Sequence, residues 1–384
     1  MSDMDILVCG GGVTGAAFSL ALAECGLQVS VVSDILPGKR SSTGRVYALS
    51  PASQRFLARL GVWSQLEKGR CEPIRAMHVF GDEQQSMISF LAQEYGVGEL
   101  GWIVSEEDIQ GALDMALDRS HILRVHGRVC SLNLMKRSVR AHFEDESSFE
   151  TRLLVGADGG RSFVRNYAGF ESQFKTYGHM AVTFNLKASI PHSGLARQWF
   201  EGGRVLALLP LPDNHLSAVW SMPKCEADSF LALSQNNQVD MIEKASFGVA
   251  GSLEAVTVAC AFPLNLLSVP SPAMERVALI GDAAHVVHPL AGQGANLGLQ
   301  DAEVLADVII CRGRHDPGER FLLNQYFRRR ARVVRHMQKV TDGLQLLFSR
   351  RDPFSRWIRN YGLKRVDHVL WIKKRIMQLA MQGE

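Results

Sequence analysis

Residues 6–15 of the chain read ILVCGGGVTG, and this stretch decides how the fold begins. The apolar run at 6–9 predicts a short strand that is buried in a parallel sheet. Three glycines break that strand, and residues 13–25 have the length and the alanine and leucine content of a helix. Gly26 predicts the end of the helix, and the apolar residues 29–32 predict a second strand. The chain therefore opens with a β-α-β unit.

The glycines at positions 10, 12 and 15 form a Gly-x-Gly-x-x-Gly turn between this strand and this helix. Such a turn lets the backbone approach a pyrophosphate, to which the helix N-terminus offers N–H groups and partial positive charge. Its position near the start of the chain favours dinucleotide binding, and a glycine-rich turn without a ligand is the structural alternative. The expected contacts are Gly10, Gly12, Val13, Thr14 and Gly15.

A carboxylate about 20 residues further on is expected to bind the adenosine ribose of such a dinucleotide. The corresponding end of the second strand carries Ser33, and Asp34 follows one residue later. Asp34 reaches the ribose if the strand end bends. The alternative is that Asp34 is a solvated turn residue, and both interpretations stay open.

Two further motifs each follow a predicted strand. They are GADGGRSFVR at 156–165, after the strand at 152–155, and GDAAH at 281–285, after the strand at 277–280 and continued by HPLAGQGANLG at 288–298. Asp282 at a strand end can accept hydrogen bonds from a polyol chain. Gly292 and Gly294 leave backbone N–H groups bare at a helix start, which suits a negatively charged ring. Either block could instead be a helix-capping turn.

In this order, the three motifs resemble those of flavin monooxygenases of the p-hydroxybenzoate hydroxylase type. The stretch HPLAGQGANLGLQD at 288–301 looks like the ubiquinone-biosynthesis hydroxylase family within that type. Supporting stretches are RVYALS at 45–50, LGVW at 60–63, RQWF at 197–200, ALLPL at 207–211 and VWS at 219–221. The resemblance covers residues 5–365. It implies an α/β fold in which a Rossmann-like FAD-binding domain interlocks with a mixed or antiparallel-sheet substrate domain and a C-terminal helical segment follows.

The domain boundaries follow from this resemblance and from the change in pattern between residues 176 and 262. Strands predicted at 181–186, 204–209 and 216–221 indicate a largely antiparallel layer there. We expect a discontinuous FAD-binding domain at 1–70, 98–175 and 263–325, a substrate domain at 71–97 and 176–262, and a helical segment at 326–384.

The resemblance also implies residue roles. Gly10, Gly12 and Gly15 are expected to hold the FAD pyrophosphate, and Arg45 to contact its phosphate or ribityl region. Asp158 belongs to a motif that serves FAD and also lies on the path of the nicotinamide donor. Asp282 is expected to bind the ribityl chain, and the residues expected beside the ring are Gly292, Gln293, Gly294 and Asn296. Ser33 and Ser105 depart from the family, which usually has an acid at the first position and Glu or Gln at the second.

The flavin carries the chemistry in this family, so no catalytic side chain is assigned firmly. His288 and Pro289 are the candidates near the ring. His285 and His288 could transfer protons there, with motif geometry or helix capping as the alternative. Trp199 and Trp220 could line an apolar substrate cavity or pack within the sheet. Seven cysteines without a Cys-x-x-Cys pair predict no metal site and no disulfide framework.

By resemblance, the reaction is hydroxylation of the aromatic ring of a prenylated phenol or quinol intermediate of ubiquinone biosynthesis, with NAD(P)H, O2 and a C4a-hydroperoxyflavin. There is no second Gly-x-Gly-x-x-Gly followed by an acid that would build a separate nicotinamide domain, which fits transient docking of NAD(P)H and does not choose between NADH and NADPH. One alternative is a hydroxylase of a small soluble phenol, which a polar pocket with an Arg that binds a substrate carboxylate would favour. The other is a flavin-bearing assembly subunit of a biosynthetic complex. No Trp-x-Trp-x-Ile-Pro segment suggests a halogenase.

The charge distribution bears on location. A net charge of +3 gives no argument for nucleic acid, but residues 325–384 carry 15 Lys and Arg against 4 Asp and Glu. We expect a cytoplasmic protein, because no signal peptide and no apolar run of about 18 residues occur. Residues 361–382 could form an amphipathic helix that lies on the inner face of the membrane, or one that packs on the protein itself. Ubiquinone-biosynthesis proteins or a second copy of the chain are candidate partners.

Overall fold

The structure is a computed structural model that describes residues 3–35, 44–66, 69–81, 86–287 and 293–349, together with Lys373. Its strands are β1 (Asp3–Cys9), β2 (Val29–Ser33), β3 (Val46–Leu49), β4 (Cys71–Ile74), β5 (Ala76–Phe80), β6 (Met87–Leu91), β7 (Gly101–Ser105), β8 (Leu123–His126), β9 (Val129–Leu134), β10 (Val139–Phe143), β11 (Ser148–Gly156), β12 (Gln173–Ala188), β13 (Leu195–Glu201), β14 (Arg204–Leu211), β15 (His215–Pro223), β16 (Leu253–Ala255), β17 (Cys260–Ser268), β18 (Ala273–Met274), β19 (Val277–Leu279) and β20 (His285–Val286). Its α-helices are α1 (Val13–Ala21), α2 (Pro51–Arg59), α3 (Glu106–Arg119), α4 (Phe163–Tyr167), α5 (Lys224–Leu231), α6 (Gln235–Ala245), α7 (Gln293–Ile310) and α8 (Arg320–Ser349), and short 3-10 turns lie at Trp63–Gln65, Ala92–Tyr95, Pro212–Asn214 and Gly281–Ala283.

A largely parallel sheet carries the glycine turn. Its parallel strands lie in the order β19-β11-β1-β2-β8, while β18 pairs antiparallel with β19, and β10 and β9 extend antiparallel from β11. Ile6 and Val8 of β1 pack against α1, α3 and α7, and Leu7 and Cys9 pack on the opposite face. Both faces are covered, so β1 is apolar without alternation from Ile6 to Cys9.

The predicted β-α-β opening is confirmed, with one correction at the first helix. Helix α1 ends at Ala21, four residues before the predicted end. Short-range hydrogen bonds from Leu22 N to Ser19 O and from Cys25 N to Leu22 O, both 3.1 Å, replace the helical pattern there. Gly26, with φ of +75°, then turns the chain into β2. The strand predicted at 152–155 is the end of the longer β11.

The second sheet is mainly antiparallel, in the order β20-β17-β12-β15-β14-β13-β5-β6, with β16 beside β12 and a parallel pair of β13 and β5. Alternate residues of β12 and β15 face opposite sides. Phe184 and Trp220 pack with α5 and α6, whereas Thr183 and Val219 face the first sheet. Trp199 and Trp220 are each 4% exposed in the core beneath α5 and α6, so they pack in the sheet and do not line the cavity.

The chain passes back and forth between the two sheets, as the resemblance implies. Strands β5 and β6, from an early part of the chain, join the second sheet, while β4 pairs with β7 in a small sheet ordered β3-β7-β4. The α/β class with an interlocked, mostly antiparallel layer is confirmed. The individual domain boundaries stay a prediction.

Helix α8 packs on α7, and the Tyr326 hydroxyl donates to Leu279 O at 2.9 Å.

Lys373 is buried, with Nζ 3.4 Å from Glu94 Oε2 and 5.8 Å from the centre of the Phe90 ring. The other residues of the helix predicted at 361–382 lie outside the described residues. Within the described part of the chain, no helix has both the length and the apolar character to cross a membrane.

Candidate active site

A cavity of about 420 Å³ lies between the carboxyl ends of β1, β11 and β19 and the inner face of the second sheet. All three sequence motifs reach it. Its walls include Gly12, Thr14, Gly159, Asp282 and Gly294 from the three motifs, Arg45, and Ala181, Thr183, Val219 and Phe262 from the second sheet. Parallel sheets of this kind place their ligand sites at the carboxyl ends of the strands, where the loops converge.

The glycine turn is shaped for a close backbone approach. Gly10 has φ of +118°, and a Cβ there would lie 2.2 Å from Ala157 O, so another residue would clash. A Cβ on Gly12 would meet no atom within 4 Å, which means that open space lies over this residue. Helix α1 begins directly after it, with no side-chain cap and no acidic residue in its first turn. The bare N–H groups of this turn therefore fit the pyrophosphate of FAD.

Thr14 has a second role that the sequence pattern did not show. A Cβ on Gly298 of α7 would lie 2.5 Å from Thr14 Oγ1, and one on Gly281 would lie 2.9 Å from it. The threonine side chain thus fills the space that these two glycines leave, and it also lines the cavity. The first and third motifs are locked together at this contact.

Asp158 holds the second motif in shape. Its Oδ1 accepts from Ser162 Oγ at 2.5 Å, and its Oδ2 accepts from Val164 N at 3.0 Å, which caps the start of α4. Arg165 donates to Gly160 O at 2.9 Å and to Ala283 O at 3.1 Å, and so ties the second motif to the third. For Asp158 the structure supports the helix-capping interpretation, and Gly159 brings the motif's backbone to the cavity wall.

Asp282 is open to the cavity and otherwise enclosed by protein. Burial raises the pKa of Asp282, the positive side chain of Arg45 and a protonated His285 would lower it, and Asp301 and Glu106 add to the rise. Its carboxylate accepts no hydrogen bond from the described residues. An acceptor that faces the cavity in this way gains from hydroxyl donors, so Asp282 suits the ribityl chain of FAD.

Behind Asp282, the fully buried Asp301 holds the turn in place. Its Oδ2 accepts from Gly281 N at 2.9 Å and contacts His285 Nε2 at 2.6 Å, and its Oδ1 accepts from Arg330 Nε at 2.6 Å. Burial alone would raise the pKa of Asp301, but His285 and Arg330 hold it below its usual value. His285 therefore serves the geometry of the motif.

The first turn of α7 meets the expectations unevenly. Gly294 lines the cavity, and a Cβ there would meet no atom within 4 Å. Gln293 begins the helix and is 7% exposed. Asn296 is 1% exposed, donates to Ala48 O at 2.8 Å and accepts from Ser50 N at 2.9 Å, so it joins α7 to the segment between β3 and α2. His288, Pro289 and Gly292 lie outside the described residues.

Three cavity residues were not anticipated as contacts, because no short motif marks them. The Tyr47 hydroxyl donates to Glu106 Oε1 at 2.9 Å, and burial raises the pKa of Tyr47. Gln110 donates to Gly11 O at 3.0 Å, while its buried Oε1 has no partner among the described residues. An unpartnered buried oxygen beside the glycine turn is a further sign that a polar ligand completes the site.

Four other positions from the sequence are now placed. The Arg45 guanidinium lies 4.1 Å from the centre of the Phe262 ring at the cavity wall. Ser105 Oγ accepts from Asp108 N at 3.0 Å and so caps α3, which accounts for the serine at this family position. Asp34 is exposed, whereas Ser33 lines a smaller cavity beside Gly11.

The family model described as an FAD binding domain matches residues 3–341. The ubiquinone hydroxylase UbiL of Rhodospirillum rubrum is 32% identical, covering 98% of this chain and 89% of the relative. The 3-demethoxyubiquinol 3-hydroxylase of Escherichia coli is 30% identical, covering 98% of each chain. The fold is similar to that of Pseudomonas aeruginosa PqsL in complex with 2-aminobenzoylacetate, with a TM-score of 0.82, 20% identity and coverage of 95% of this chain and 100% of the other. It is also similar to Klebsiella pneumoniae HpxO complexed with FAD and uric acid, with a TM-score of 0.78, 19% identity and coverage of 99% and 97%.

These similarities extend over nearly the whole chain and include the three motifs that meet at the cavity. FAD is the cofactor and NAD(P)H the electron donor that such enzymes share. The chain belongs to the ubiquinone-biosynthesis family of FAD-dependent hydroxylases, within the flavin monooxygenases of the p-hydroxybenzoate hydroxylase type.

Proposed function

We propose that this enzyme hydroxylates the ring of an uncharged, prenylated phenol or quinol of the kind that leads to ubiquinone. The observation that carries the proposal is the composition of the cavity where it meets the second sheet. There the walls are Ala181, Val219, Phe262, Pro263 and Leu264, with the polar side chains of Thr183 and Asn265 among them. An apolar wall with few polar groups suits a substituted aromatic ring.

The positive charge of the cavity stacks on the ring of Phe262, in the wall of the second sheet. Among the described residues that line it, Arg45 is the cation, and its charge acts on Asp282 and Tyr47. A substrate carboxylate against this wall would compete with Asp282 for the charge of Arg45 and would lose its hydration for a shared partner, which is costly. This distribution favours a neutral phenol over a small phenol that carries a carboxylate.

Three buried hydroxyl groups lie on two paired strands of the second sheet. Thr183 Oγ1, Ser217 Oγ and Ser221 Oγ are buried and have no hydrogen-bond partner among the described residues. The register pairs Thr183 with Val219, and Ser217 and Ser221 lie two residues to either side, on the same face of β15. Of the three, Thr183 lines the cavity, so its hydroxyl is the one that a hydroxyl group of the substrate can meet.

The relatives support the same substrate class. The R. rubrum protein is a ubiquinone hydroxylase and the E. coli protein a 3-demethoxyubiquinol hydroxylase, and each aligns with nearly all of this chain. FAD supplies the redox chemistry when it is bound. The protein would hold its phosphates at the start of α1, orient its polyol chain at Asp282, and exclude water with the apolar wall of the second sheet.

The decisive experiment supplies the purified holoenzyme with NAD(P)H and O2 and compares 2-farnesylphenol with 4-hydroxybenzoate. We expect a singly hydroxylated product from the farnesylphenol, with NAD(P)H consumption coupled to it, and no product from the carboxylate. The reverse preference would show a small-phenol hydroxylase. NAD(P)H oxidation that neither phenol changes would indicate an assembly subunit.

Peripheral contact with a membrane belongs to the same proposal, because a prenylated substrate resides in the bilayer. The basic excess of residues 325–384, Trp357 and Trp371, and the helical spacing of apolar residues at 361–382 support it. Lys373 is an exception within that segment, since it packs inward against Glu94 and Phe90.

A further inference from the structure

A second cavity, of about 200 Å³, lies beside the glycine turn. Gly11, the end of β2, helix α3 and β8 surround it, and Ser33, Asp114 and Arg124 are among its walls. Gly12, where the pyrophosphate is expected to bind, directly follows Gly11 in the turn. The adenosine half of FAD, which continues from the pyrophosphate, is therefore the part of the cofactor that this cavity can receive.

Strand β2 brings no carboxylate to this cavity. Ser33 Oγ donates to Ile35 O at 3.0 Å and accepts from Ile35 N at 3.2 Å, so the hydroxyl closes a local turn. Asp34 is exposed and is not part of the cavity wall. The usual source of a ribose-binding acid is thus missing at the position where β2 ends.

Helix α3 places a carboxylate in the same space. Asp114 lies one helical turn after Gln110, whose Nε2 donates to Gly11 O at 3.0 Å and lies 3.4 Å from Asp114 Oδ1. The Arg124 guanidinium donates to Asp114 Oδ1 at 2.8 Å, and the Asp114 side chain is only 13% exposed. Its Oδ2 accepts no hydrogen bond from the described residues, although it belongs to a side chain that lines the cavity.

We infer that Asp114 is the residue that binds the ribose hydroxyls of the FAD adenosine, in place of the acid that β2 lacks. One carboxylate oxygen is held by Arg124 and the other is left for a hydroxyl donor. Arg124 also donates to Asp118 Oδ1 at 2.8 Å, so it is clamped between two acids and fixes the orientation of Asp114. A held carboxylate binds a hydroxyl without first losing side-chain freedom.

The test measures the affinity of apoprotein for FAD and for FMN, which lacks the adenosine, by quenching of flavin fluorescence. Asp114→Asn should weaken FAD binding by about tenfold to a hundredfold and leave FMN binding within about twofold of the wild type. Glu107→Gln is the matched control, because it removes an exposed acid of the same helix that does not line this cavity. Asp34→Asn tests the competing residue. Both controls should retain FAD affinity.

Unchanged FAD affinity in Asp114→Asn would overturn the inference, as would a loss in Asp34→Asn instead. An equal loss for FAD and FMN in Asp114→Asn would show that the residue is structural. If Asp114→Asn does not fold, a second experiment uses the Asp34→Asn protein. Its affinity for FAD is compared with its affinity for FAD analogues that lack the 2′- or 3′-hydroxyl of the adenosine ribose. A loss of affinity for an analogue in that variant supports Asp114, and equal affinity for all of them overturns it. These measurements use no phenol, so they stand apart from the proposed substrate.

Discussion

Arg330 Nε on α8 lies 2.6 Å from Asp301 Oδ1 on α7, and both side chains are almost completely buried. The second oxygen of Asp301 binds Gly281 N and His285, the residues on either side of the turn that carries Asp282. Arg330 donates in addition to Gln300 Oε1 at 2.9 Å. A residue from the C-terminal half of the chain thus positions the turn that carries Asp282, the expected contact of the ribityl chain.

Arg330→Met should destabilise the protein strongly. The substitution leaves Asp301 buried without its cation, and breaking one side of a buried pair costs about 3–5 kcal/mol. Thermal and urea unfolding of the apoprotein would measure the loss. Arg335→Met, at an exposed position of the same helix, is the control and should stay within about 0.5 kcal/mol of the wild type.

The same pair predicts a pH dependence with a definite sign. The pKa of Asp301 is lowered in the folded protein, so its charge stabilises the fold above the unfolded value of about 3.9, and that contribution is lost as the pH falls through the folded pKa. In Arg330→Met we expect burial to raise this pKa, so the variant should lose stability as the pH rises above the unfolded value. The difference in unfolding free energy between the two proteins should be larger at neutral pH than near pH 4. A constant difference would contradict the ion-pair explanation.

Asp282→Ala should weaken FAD binding by about tenfold to a hundredfold, because a charge-assisted hydrogen bond is worth roughly 1.5–3 kcal/mol. FMN carries the same ribityl chain, so its affinity should fall in parallel, in contrast to the effect expected for Asp114. Fluorescence titration of the apoprotein with both flavins measures this. Unchanged FAD occupancy would mean that Asp282 does not touch the cofactor.

Thr183→Val should reduce recognition of the phenol without harming the fold. The buried hydroxyl has no partner among the described residues, so its removal costs the free protein little. A rotation about χ1 would turn Oγ1 toward the cavity that the side chain already lines. We expect KM for 2-farnesylphenol to rise by about threefold to tenfold. We also expect less hydroxylated product for each NAD(P)H that is consumed. Thr183→Val should bind the methyl ether of 2-farnesylphenol about as well as the wild type does, because the ether donates no hydrogen bond. Thr183→Ser keeps the hydroxyl, so its activity should change little. Equal losses for phenol and ether would exclude a hydroxyl contact.

Truncation after Tyr361 should reduce binding to anionic liposomes and leave the weaker binding to neutral liposomes nearly unchanged. Each basic residue near an anionic surface contributes about 1 kcal/mol, and added salt should screen that attraction. Co-sedimentation of the two proteins measures the effect. Lys373→Met should bind like the full chain, because Lys373 already packs against Glu94. Binding that is indifferent to lipid charge would leave the segment with a structural role alone.

Local signals predicted much of the fold and part of the site. The glycine turn, the capping turn around Asp158 and the strand ends before both later motifs are decided by neighbouring residues, so their spacing is readable in the chain. The face that a strand residue occupies was harder to assign. Trp199 and Trp220 alternate with cavity-facing neighbours, and only the packing of α5 and α6 determines which side is the core.

By itself, the sequence determined the order of the motifs, the β-α-β opening and the open space over the glycine turn, because local backbone conformation and side-chain size fix these. The tertiary structure alone decided that Gln110 meets Gly11, that Arg330 reaches Asp301 and that Asp114 enters the cavity beside Ser33. These contacts join residues that are far apart in the chain. They depend on how α3, α7 and α8 pack against the sheet, and no short pattern around either partner encodes that packing.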